Sequence, residues 1–186
     1  MAMLRWTSRD LDRLPKVEGT RYEVIDGELY VSTQPHWSHQ FAASLIWEQL
    51  QTWSRQTRIG KANIGPGVIF SEDDAVIPDV IWISNERLAM AGLTDGHLHV
   101  APELVVEILS PGSANERRDR VVKLELYSRR DVLEYWIVNW QARSIEVYRR
   151  GKTVLELAQA LNEDDTVLSP HLPGFTCRVS QFFSEM

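Results

Sequence analysis

Two short apolar runs constrain the fold of this chain more than any other feature, because each encloses a carboxylate. Asp79 lies within residues 77–83, and Glu107 lies within residues 103–109. Runs of this length, rich in valine and isoleucine, predict strands buried in a sheet. A carboxylate inside such a strand loses its hydration shell, which is costly unless a cation, a metal ion or several donors compensate. The sequence therefore predicts a sheet with an ionic site built into it.

The two carboxylates can share one site if their strands are neighbours. Side chains alternate between the faces of a strand, so Asp79 shares a face with Ile81, and Glu107 shares one with Val105. Carboxylate oxygens completed by water and phosphate are the usual ligands of Mg²⁺ in proteins. The residues alone leave an alternative open, in which each carboxylate caps a backbone group or forms an ion pair with an arginine.

The segment after the second run predicts a helix that begins at Ser113 or Asn115 and continues through Ser128. On a wheel of about 100° per residue, one stripe of this helix contains Glu116, Arg120, Lys123 and Tyr127. Apolar residues flank the stripe, so Lys123 and Tyr127 are expected to face the sheet, where the carboxylates would be partners for the lysine. The alternative is a lysine whose stem covers apolar surface while its ammonium group stays in water.

The other elements predict an α/β fold with a mixed sheet, formed by a single domain of residues 1–186. Asp26-Gly27 between two β-rich runs predicts an N-terminal hairpin. The further expectations are a largely buried helix at 38–56, a bent strand at 64–70, strands at 76–83, 103–109 and 133–139, a C-terminal meander of strands at 144–149 and 153–160, and a short turn at 179–183 that packs on the body.

Charge and composition exclude some classes of protein. The net charge of −6 argues against a protein that coats nucleic acid non-specifically, although basic residues are concentrated between 116 and 130. Apolar stretches are too short to span a membrane. The lone Cys177 cannot form an internal disulfide, which favours the cytoplasm. His97 and His99 could together bind a transition metal, but no third ligand is evident.

Taken together and in order, several sequence pieces resemble the PD-(D/E)XK nuclease superfamily. More closely, the chain resembles a large bacterial family of restriction endonuclease-like proteins. The resemblance covers nearly the whole chain. The pieces that carry it are Tyr22-Glu23-Val24-Ile25-Asp26-Gly27-Glu28-Leu29, Ser38-His39-Gln40, Val76-Ile77-Pro78-Asp79-Val80, Pro102-Glu103-Leu104-Val105-Val106-Glu107-Ile108-Leu109-Ser110-Pro111, Asp119-Arg120 with Lys123 and Tyr127, Glu134-Tyr135-Trp136-Ile137-Val138, and Leu172-Pro173-Gly174-Phe175.

The resemblance implies a restriction endonuclease-like core of a helix, three strands, a helix and a strand. It makes Asp79 and Glu107 the ligands of Mg²⁺ or Mn²⁺. Leu109 stands where the superfamily pattern has lysine. Lys123 would then be the replacement, reaching the site from the next helix.

The same resemblance suggests further roles around this site. Tyr127 would assist by hydrogen bonding, and Glu28 would be an additional ligand or base, although a hairpin glutamate is more often solvated. Arg120 and Arg117, or Arg118, would contact the nucleic-acid backbone without reading its sequence.

The implied activity is hydrolysis of phosphodiester bonds in nucleic acid, with DNA expected as the substrate. A homodimer is also expected, through aromatic residues of the C-terminal strands: Tyr135, Trp136, Trp140 and Tyr148. The competing hypothesis is a catalytically inactive module that keeps the fold and binds nucleic acid or a partner. The missing strand lysine and the acidic net charge favour that alternative.

Overall fold

The structure, a computed structural model, describes residues 5–184. Its helices and strands are, in chain order, α1 (Ser8–Leu11), β1 (Arg21–Ile25), β2 (Glu28–Ser32), α2 (Trp37–Thr57), β3 (Gly60–Ile64), β4 (Val68–Ser71), β5 (Asp74–Val76), β6 (Val80–Ser84), α3 (Asn85–Ala89), β7 (Leu104–Ile108), α4 (Ser113–Arg117), α5 (Leu124–Arg129), β8 (Glu134–Asn139), β9 (Ser144–Arg150), β10 (Leu155–Asn162), β11 (Thr166–Leu168) and β12 (Thr176–Arg178). A π-helical turn, Arg118–Lys123, joins α4 to α5, and Val179–Phe183 forms a 3₁₀ turn.

A six-stranded sheet in the order β10-β9-β8-β7-β6-β3 forms the centre of the fold. Strands β7 and β8 run parallel and the other neighbours run antiparallel, so the predicted mixed sheet is confirmed. Parallel neighbours need a crossover connection. The continuous helix α4–π-turn–α5 supplies it, and this connection carries Lys123 back over the strand that contains Glu107.

A smaller sheet, in the order β2-β1-β5-β4, contains the N-terminal hairpin. Asp26 and Gly27 both have positive φ angles, 54° and 76°, as a two-residue hairpin turn of this kind requires. The single bent strand predicted at 64–70 is wrong: β3 belongs to the large sheet and β4 to the small one. The chain changes sheets at Gly65, whose φ of +57° favours glycine.

The strand predicted at 76–83 is also two elements. Strand β5 ends at Val76 in the small sheet, and β6 begins at Val80 in the large sheet. Between them, Pro78 lacks the N–H that a strand interior needs. Asp79 therefore lies at the gap between the two sheets, immediately before β6.

The two faces of the large sheet bury two apolar clusters, as alternation along the strands predicted. One face packs against α2 and the C-terminal segment, and its cluster includes Leu50, Trp82 and Trp136. The opposite face packs against α5, and its cluster includes Ile81 and Tyr127. Fully burying side chains of this size contributes about 1.5–3 kcal/mol each, so these clusters hold both helices on the sheet. The 3₁₀ turn buries Val179, Phe182 and Phe183, so the predicted docking of that segment is confirmed.

The crossover helix differs from the prediction at its start and in its middle. Gly112 is the N-cap, and Asn115 donates its side-chain amide to the Pro111 carbonyl, so neither Ser113 nor Asn115 caps the helix. In the π-turn, Asp119 and Lys123 are buried. The α-helical wheel predicted that Lys123 faces the sheet but not that Asp119 is buried, because a π-turn has more residues per turn than an α-helix.

The aromatic residues expected to form a dimer interface are partly used inside the protomer. Tyr135 and Trp136 are completely buried, and only Trp140 and Tyr148 are partly exposed. The reason given for a homodimer is therefore wrong for two of its four residues. No helix within residues 5–184 is long and apolar enough to cross a membrane.

Candidate metal-binding and phosphate-binding site

A cavity of about 320 Å³ opens where the large sheet, the small sheet and the crossover helix meet. The connection between β2 and α2 forms one wall, since residues 31–36 all line the cavity. The charged residues that line it are Arg21, Asp79, Glu107, Arg118 and Lys123. The cavity therefore combines two carboxylates with three basic side chains.

Asp79 is at the floor of this cavity and is only 7 % exposed. Its Oδ2 atom accepts the backbone N–H of Ile108 at 2.9 Å and lies 3.2 Å from Nε2 of His39. Its Oδ1 atom lies 3.4 Å from Nη1 of Arg21. The alternative left open by the sequence, a backbone cap or an ion pair with an arginine, therefore holds for Asp79, which caps the Ile108 N–H, pairs with Arg21 and still lines the cavity.

Glu107 lies beside Asp79 across the β6–β7 ladder, because Val80 pairs with Val106 and the next position along brings the two carboxylates opposite each other. Its Oε1 atom accepts hydrogen bonds from Lys123 Nζ at 2.9 Å and from the Tyr127 hydroxyl at 2.7 Å. No side chain within residues 5–184 donates a hydrogen bond to its Oε2 atom. That second oxygen is the part of Glu107 available to a ligand in the cavity.

Lys123 is buried, with 2 % of its surface exposed, so its ammonium group is not in bulk water. Besides Glu107, it contacts Oε1 of Glu23 at 3.1 Å. The same Glu23 oxygen accepts the backbone N–H of Ile77 at 2.8 Å. A lysine ammonium has three donors, and these contacts use two of them. The network ties the small sheet, the large sheet and the crossover helix together at one point.

The pKa values in the site are shifted in opposite directions. Burial, reinforced by Asp79, Asp119 and Glu23, raises the pKa of Glu107 to about 8 even though Lys123 opposes the shift. Burial also favours a higher pKa for Asp79, but the hydrogen bond and charge of His39 and the Ile108 N–H bring the pKa of Asp79 below its usual value. Asp79 is therefore the permanently ionised carboxylate of the pair.

The pKa of Lys123 is shifted upward, although burial alone would lower it. Three carboxylates, Glu107, Glu23 and Asp119, outweigh the burial. Burial, with the charge of Glu107, also holds the pKa of Tyr127 well above its usual value. Lys123 is thus a fixed cation and Tyr127 a fixed neutral donor across the physiological pH range.

Not every predicted site residue reaches the cavity. Glu28 is exposed at the start of β2 and accepts the Tyr30 hydroxyl at 3.1 Å. Arg120 points away from the cavity, with ion pairs to Glu146 and Glu116. Arg117, the last residue of α4, is exposed. None of these three predicted residues lines the cavity.

Sequence reasoning gave no site role to three residues that do contact the site: Arg21, Glu23 and His39. For His39 and Glu23 a signal existed, because both lie in the pieces that carry the family resemblance. Arg118 lies on the π-turn and pairs with buried Asp119 at 3.3 Å. Arg118 was expected as an alternative to Arg117 for contact with the nucleic-acid backbone, but an α-helical wheel could not show that it lines the cavity.

The residues present fit a hard divalent cation. Within residues 5–184, no group of three or more His, Cys, Asp or Glu side chains is arranged to hold a metal ion. An ion in this cavity would therefore have Asp79 and Glu107 as its protein carboxylates, with water and phosphate completing the shell. That is the usual way in which proteins bind Mg²⁺ at phosphate sites.

The two histidines considered as a separate metal site pair with an aspartate instead. His99 Nε2 lies 2.9 Å from one oxygen of Asp95, and His97 Nδ1 lies 3.6 Å from the other. They line a second cavity of about 790 Å³, which adjoins the first at Arg21 and Ile77. These groups do not make a transition-metal site within the described part of the chain.

Comparison with known proteins agrees with the geometry. A family model described as "Uma2: Putative restriction endonuclease" matches residues 8–180. No protein in the curated comparison matches the chain. Among solved structures, the chain is similar to a "putative nuclease belonging to DUF820" from Anabaena variabilis, at 19 % identity and a TM-score of 0.75. The likeness covers 96 % of this chain and 97 % of that one, which shows a shared fold.

Proposed function

Because this chain belongs to the Uma2 family of restriction endonuclease-like proteins, we propose that it is a metal-dependent endonuclease that hydrolyses phosphodiester bonds of nucleic acid. Families of this kind generally use divalent metal ions, and both the family and the fold support a nuclease-like function. The finer parts of the proposal are Mg²⁺ or Mn²⁺ as the ion and DNA as the substrate. The observation that carries it is the cluster of Asp79, Glu107 and Lys123 in one cavity.

In this proposal, Asp79 and Glu107 hold the divalent ion. When bound, the ion would lower the pKa of a water molecule and neutralise charge on the scissile phosphate. Asp79 enters the site already ionised and held in place by His39 and Ile108. Glu107 offers its free Oε2 atom, while Lys123 and Tyr127 hold its Oε1 atom in a single orientation.

The second role in the proposed reaction belongs to Lys123, which stabilises negative charge on the phosphate. Lys123 lines the cavity, and its contacts with Glu107 and Glu23 use two of the three donors of its ammonium group. A buried cation held by fixed carboxylates needs no reorganisation when charge develops in the transition state. Tyr127 does not line the cavity, so its role is to position Glu107 and not to touch the substrate.

Of the three arginines expected to contact the nucleic-acid backbone, we assign the phosphate contact in the cavity to Arg118. Arg118 lines the cavity, whereas Arg120 is engaged with Glu146 and Glu116. Arg117 is exposed and can contact the nucleic-acid backbone only outside the cavity. Glu28 has no part in the proposal, because its exposed carboxylate lies outside the cavity wall.

A nicking assay on supercoiled plasmid, with single-stranded DNA and RNA run in parallel, tests the proposal. Mg²⁺ and Mn²⁺ should each support cleavage, and EDTA should abolish it. Asp79→Asn and Glu107→Gln should lose the activity, and Lys123→Met should lower it by roughly 10²–10³-fold because a preorganised cation is removed. Glu28→Gln, the matched carboxylate control, should cleave like the wild type. Absence of cleavage with every metal and substrate would refute the proposed endonuclease activity.

A catalytically inactive binding module remains the second candidate, and one observation favours it. Both oxygens of Asp79 and one oxygen of Glu107 already have protein partners, so the network is largely satisfied without an ion. Such a module would bind nucleic acid equally well in EDTA, and Asp79→Asn would leave binding unchanged. An endonuclease of the proposed kind would instead bind more tightly in the presence of Ca²⁺ or Mg²⁺.

The homodimer and the cytoplasmic location stay predictions. Trp140 and Tyr148 are the only residues of the original aromatic set with exposed surface, and sedimentation equilibrium decides whether a dimer forms. Cys177, the residue on which the cytoplasmic prediction rests, is buried. Burial raises the pKa of its thiol to about 12, which is typical of a small packed residue.

A further inference from the structure

Trp37, the first residue of α2, is 79 % exposed, more than any other large apolar side chain within residues 5–184. An indole ring exposed to water does not contribute the stabilisation that burial of a large aromatic side chain would give. Single exposed apolar residues are common on protein surfaces. A nearly bare tryptophan beside a charged cavity calls for a more specific explanation.

The ring of Trp37 is held in a defined orientation. Phe41, one turn later in α2, stacks against it with a centroid distance of 6.1 Å and an angle of 12° between the planes. The preceding residue, His36, stacks on Trp140 at 5.0 Å, also at 12°. Two near-parallel aromatic pairs therefore hold this end of α2, and the outer face of Trp37 is free. We call Trp37 with Phe41 the aromatic platform.

The platform adjoins the site through the chain itself. Residues 31–36 line the cavity that contains Asp79 and Glu107, and Trp37 is the next residue. The cavity supplies Arg118 and Lys123 for a phosphate, and the platform supplies an uncharged aromatic surface. A nucleotide has the same two parts, an anionic phosphate and a flat base.

We propose that the aromatic platform stacks an unpaired nucleobase of the strand whose phosphate lies in the cavity, so that the substrate class is single-stranded nucleic acid or a duplex with unpaired bases. Base–aromatic stacking is tolerant of sequence and recurs in proteins that bind single strands. The faces of a base inside a duplex are covered by its neighbours, so an intact duplex cannot use the platform. This inference rests on the proposed function for the placement of the phosphate.

A second copy of this chain fits the platform less well. Trp37 and Val31 are the only large apolar side chains of residues 31–37 that are strongly exposed. Stable protein interfaces bury about 1,200–2,000 Å² in total. Two side chains supply only a small part of that area, whereas one nucleobase is of the size of the indole it would cover.

Fluorescence anisotropy with end-labelled oligonucleotides in Ca²⁺ tests the proposal. The probes are a 12-nucleotide single strand, the same sequence as a blunt duplex, and the duplex with a single-stranded overhang. Trp37→Ala should weaken binding of the single strand and of the overhang by about 5- to 100-fold and leave the blunt duplex within about twofold. Trp37→Phe, which keeps a ring, should restore most of the loss. Met90→Ala, which removes an exposed apolar residue outside the cavity wall, is the matched control.

The outcomes separate the platform from the nuclease. If Trp37→Ala binds the single strand as tightly as the wild type, or weakens all three probes equally, the platform is refuted. If Trp37 matters for single strands but no metal supports cleavage, the platform stands and the endonuclease fails. If the wild type is a dimer that Trp37→Ala dissociates, without a selective effect on single strands, the surface belongs to a second copy and the platform is overturned.

Discussion

At the scale of single residues, the site depends on a division of labour between two carboxylates that the sequence presents as equivalent. Asp79 is ionised and accepts a backbone N–H. Glu107 accepts hydrogen bonds from a lysine and a tyrosine at one oxygen, and its other oxygen is free of side-chain donors within residues 5–184. Their pKa values are displaced in opposite directions, because burial outweighs Lys123 at Glu107, whereas His39 and the Ile108 N–H outweigh burial at Asp79. Lys123 was expected to face the sheet, and the structure places it against Glu107.

His39 is expected to position Asp79. Its Nε2 atom lies 3.2 Å from Asp79, while its Nδ1 atom is buried without a partner. Glutamine can place an amide nitrogen near the Nε2 position, and asparagine is too short to do so. His39→Gln should keep Mn²⁺ affinity within about threefold, and His39→Asn should lose about 10- to 100-fold, as partners of metal ligands commonly do. Titration calorimetry with Mn²⁺ measures both.

A structural role alone would give a different result for the same pair. If His39 only fills space, both variants should lower the melting temperature and leave Mn²⁺ affinity unchanged. Equal losses of Mn²⁺ affinity in the two variants would contradict the positioning role.

Metal binding is expected to strengthen as pH rises towards 8. A metal ligand must be deprotonated, and burial raises the pKa of Glu107 to about 8, so below that pH a proton must leave before the ion binds. Asp79, whose pKa is lowered, stays ionised throughout this range. Apparent Mn²⁺ affinity should rise by up to about tenfold per pH unit between pH 6.5 and 7.5 and flatten above about pH 8.5.

Calorimetry at three pH values, in buffers matched for ionic strength, measures this dependence. Glu107→Gln cannot titrate at this position, so its weaker binding should be flat across the same range. A flat profile in the wild type would show that Glu107 is already ionised in the metal-free protein.

At the scale of elements, the crossover helix shows where sequence reasoning succeeds and where it stops. Periodicity located the helix and the face of Lys123, because both depend on local apolar spacing. It could not foresee the π-turn at Arg118–Lys123, which buries Asp119 and brings Arg118 to the cavity. The π-turn makes a tertiary contact, in which the backbone carbonyl of Asp119 accepts a hydrogen bond from the Tyr135 hydroxyl at 3.0 Å. The spacing of apolar residues along the sequence does not predict such a contact.

The strand breaks follow the same rule. Each apolar run was recognised as strand, but Gly65 and Pro78 divide two of them between different sheets. Turn residues mark where a chain can bend, and only packing decides which sheet it joins afterwards.

Strand β3 is expected to tolerate no side chain at its first residue. A Cβ atom on Gly60 would meet the Trp82 ring and lie 2.5 Å from the carbonyl oxygen of Ile83. Gly60→Ala should therefore cost about 1–3 kcal/mol of unfolding free energy through overpacking. Urea denaturation measures the loss.

Gly151→Ala is the matched control for Gly60→Ala. Its Cβ atom would meet only the end of the Glu156 side chain, which can move away. Equal stability of the two variants would contradict the close packing of β3 on Trp82.

At the scale of the whole molecule, an acidic net charge does not prevent one cavity from being basic, because basic side chains can be concentrated at one place on the surface. The chain has a net charge of −6, yet Arg21, Arg118 and Lys123 all line one cavity of about 320 Å³. Association with nucleic acid should then depend on a few phosphate contacts and not on a broad basic surface.

The salt dependence of single-strand binding should therefore be shallow. Three phosphate contacts on a single strand predict a slope of log K against log[KCl] of about −2. Arg118→Gln should make the slope shallower by about 0.7, and anisotropy titrations from 50 to 200 mM KCl measure the change. A wild-type slope steeper than about −5 would show that a wider surface takes part.

Local order along the chain determined much of this protein. The buried strands, the hairpin at Asp26-Gly27, the helix carrying Lys123 and the family pattern can all be recognised from residue type and spacing, since alternation and turn chemistry act over a few residues. The helical spacing already indicated Lys123 as a partner for the two buried carboxylates, and only the tertiary structure decided the rest of the network. His39 reaches Asp79, Lys123 reaches Glu107, and Glu23 reaches Lys123, all through the packing of two sheets and a crossover helix. Desolvation and the balance of neighbouring charges, which set the two pKa values, exist only after that packing.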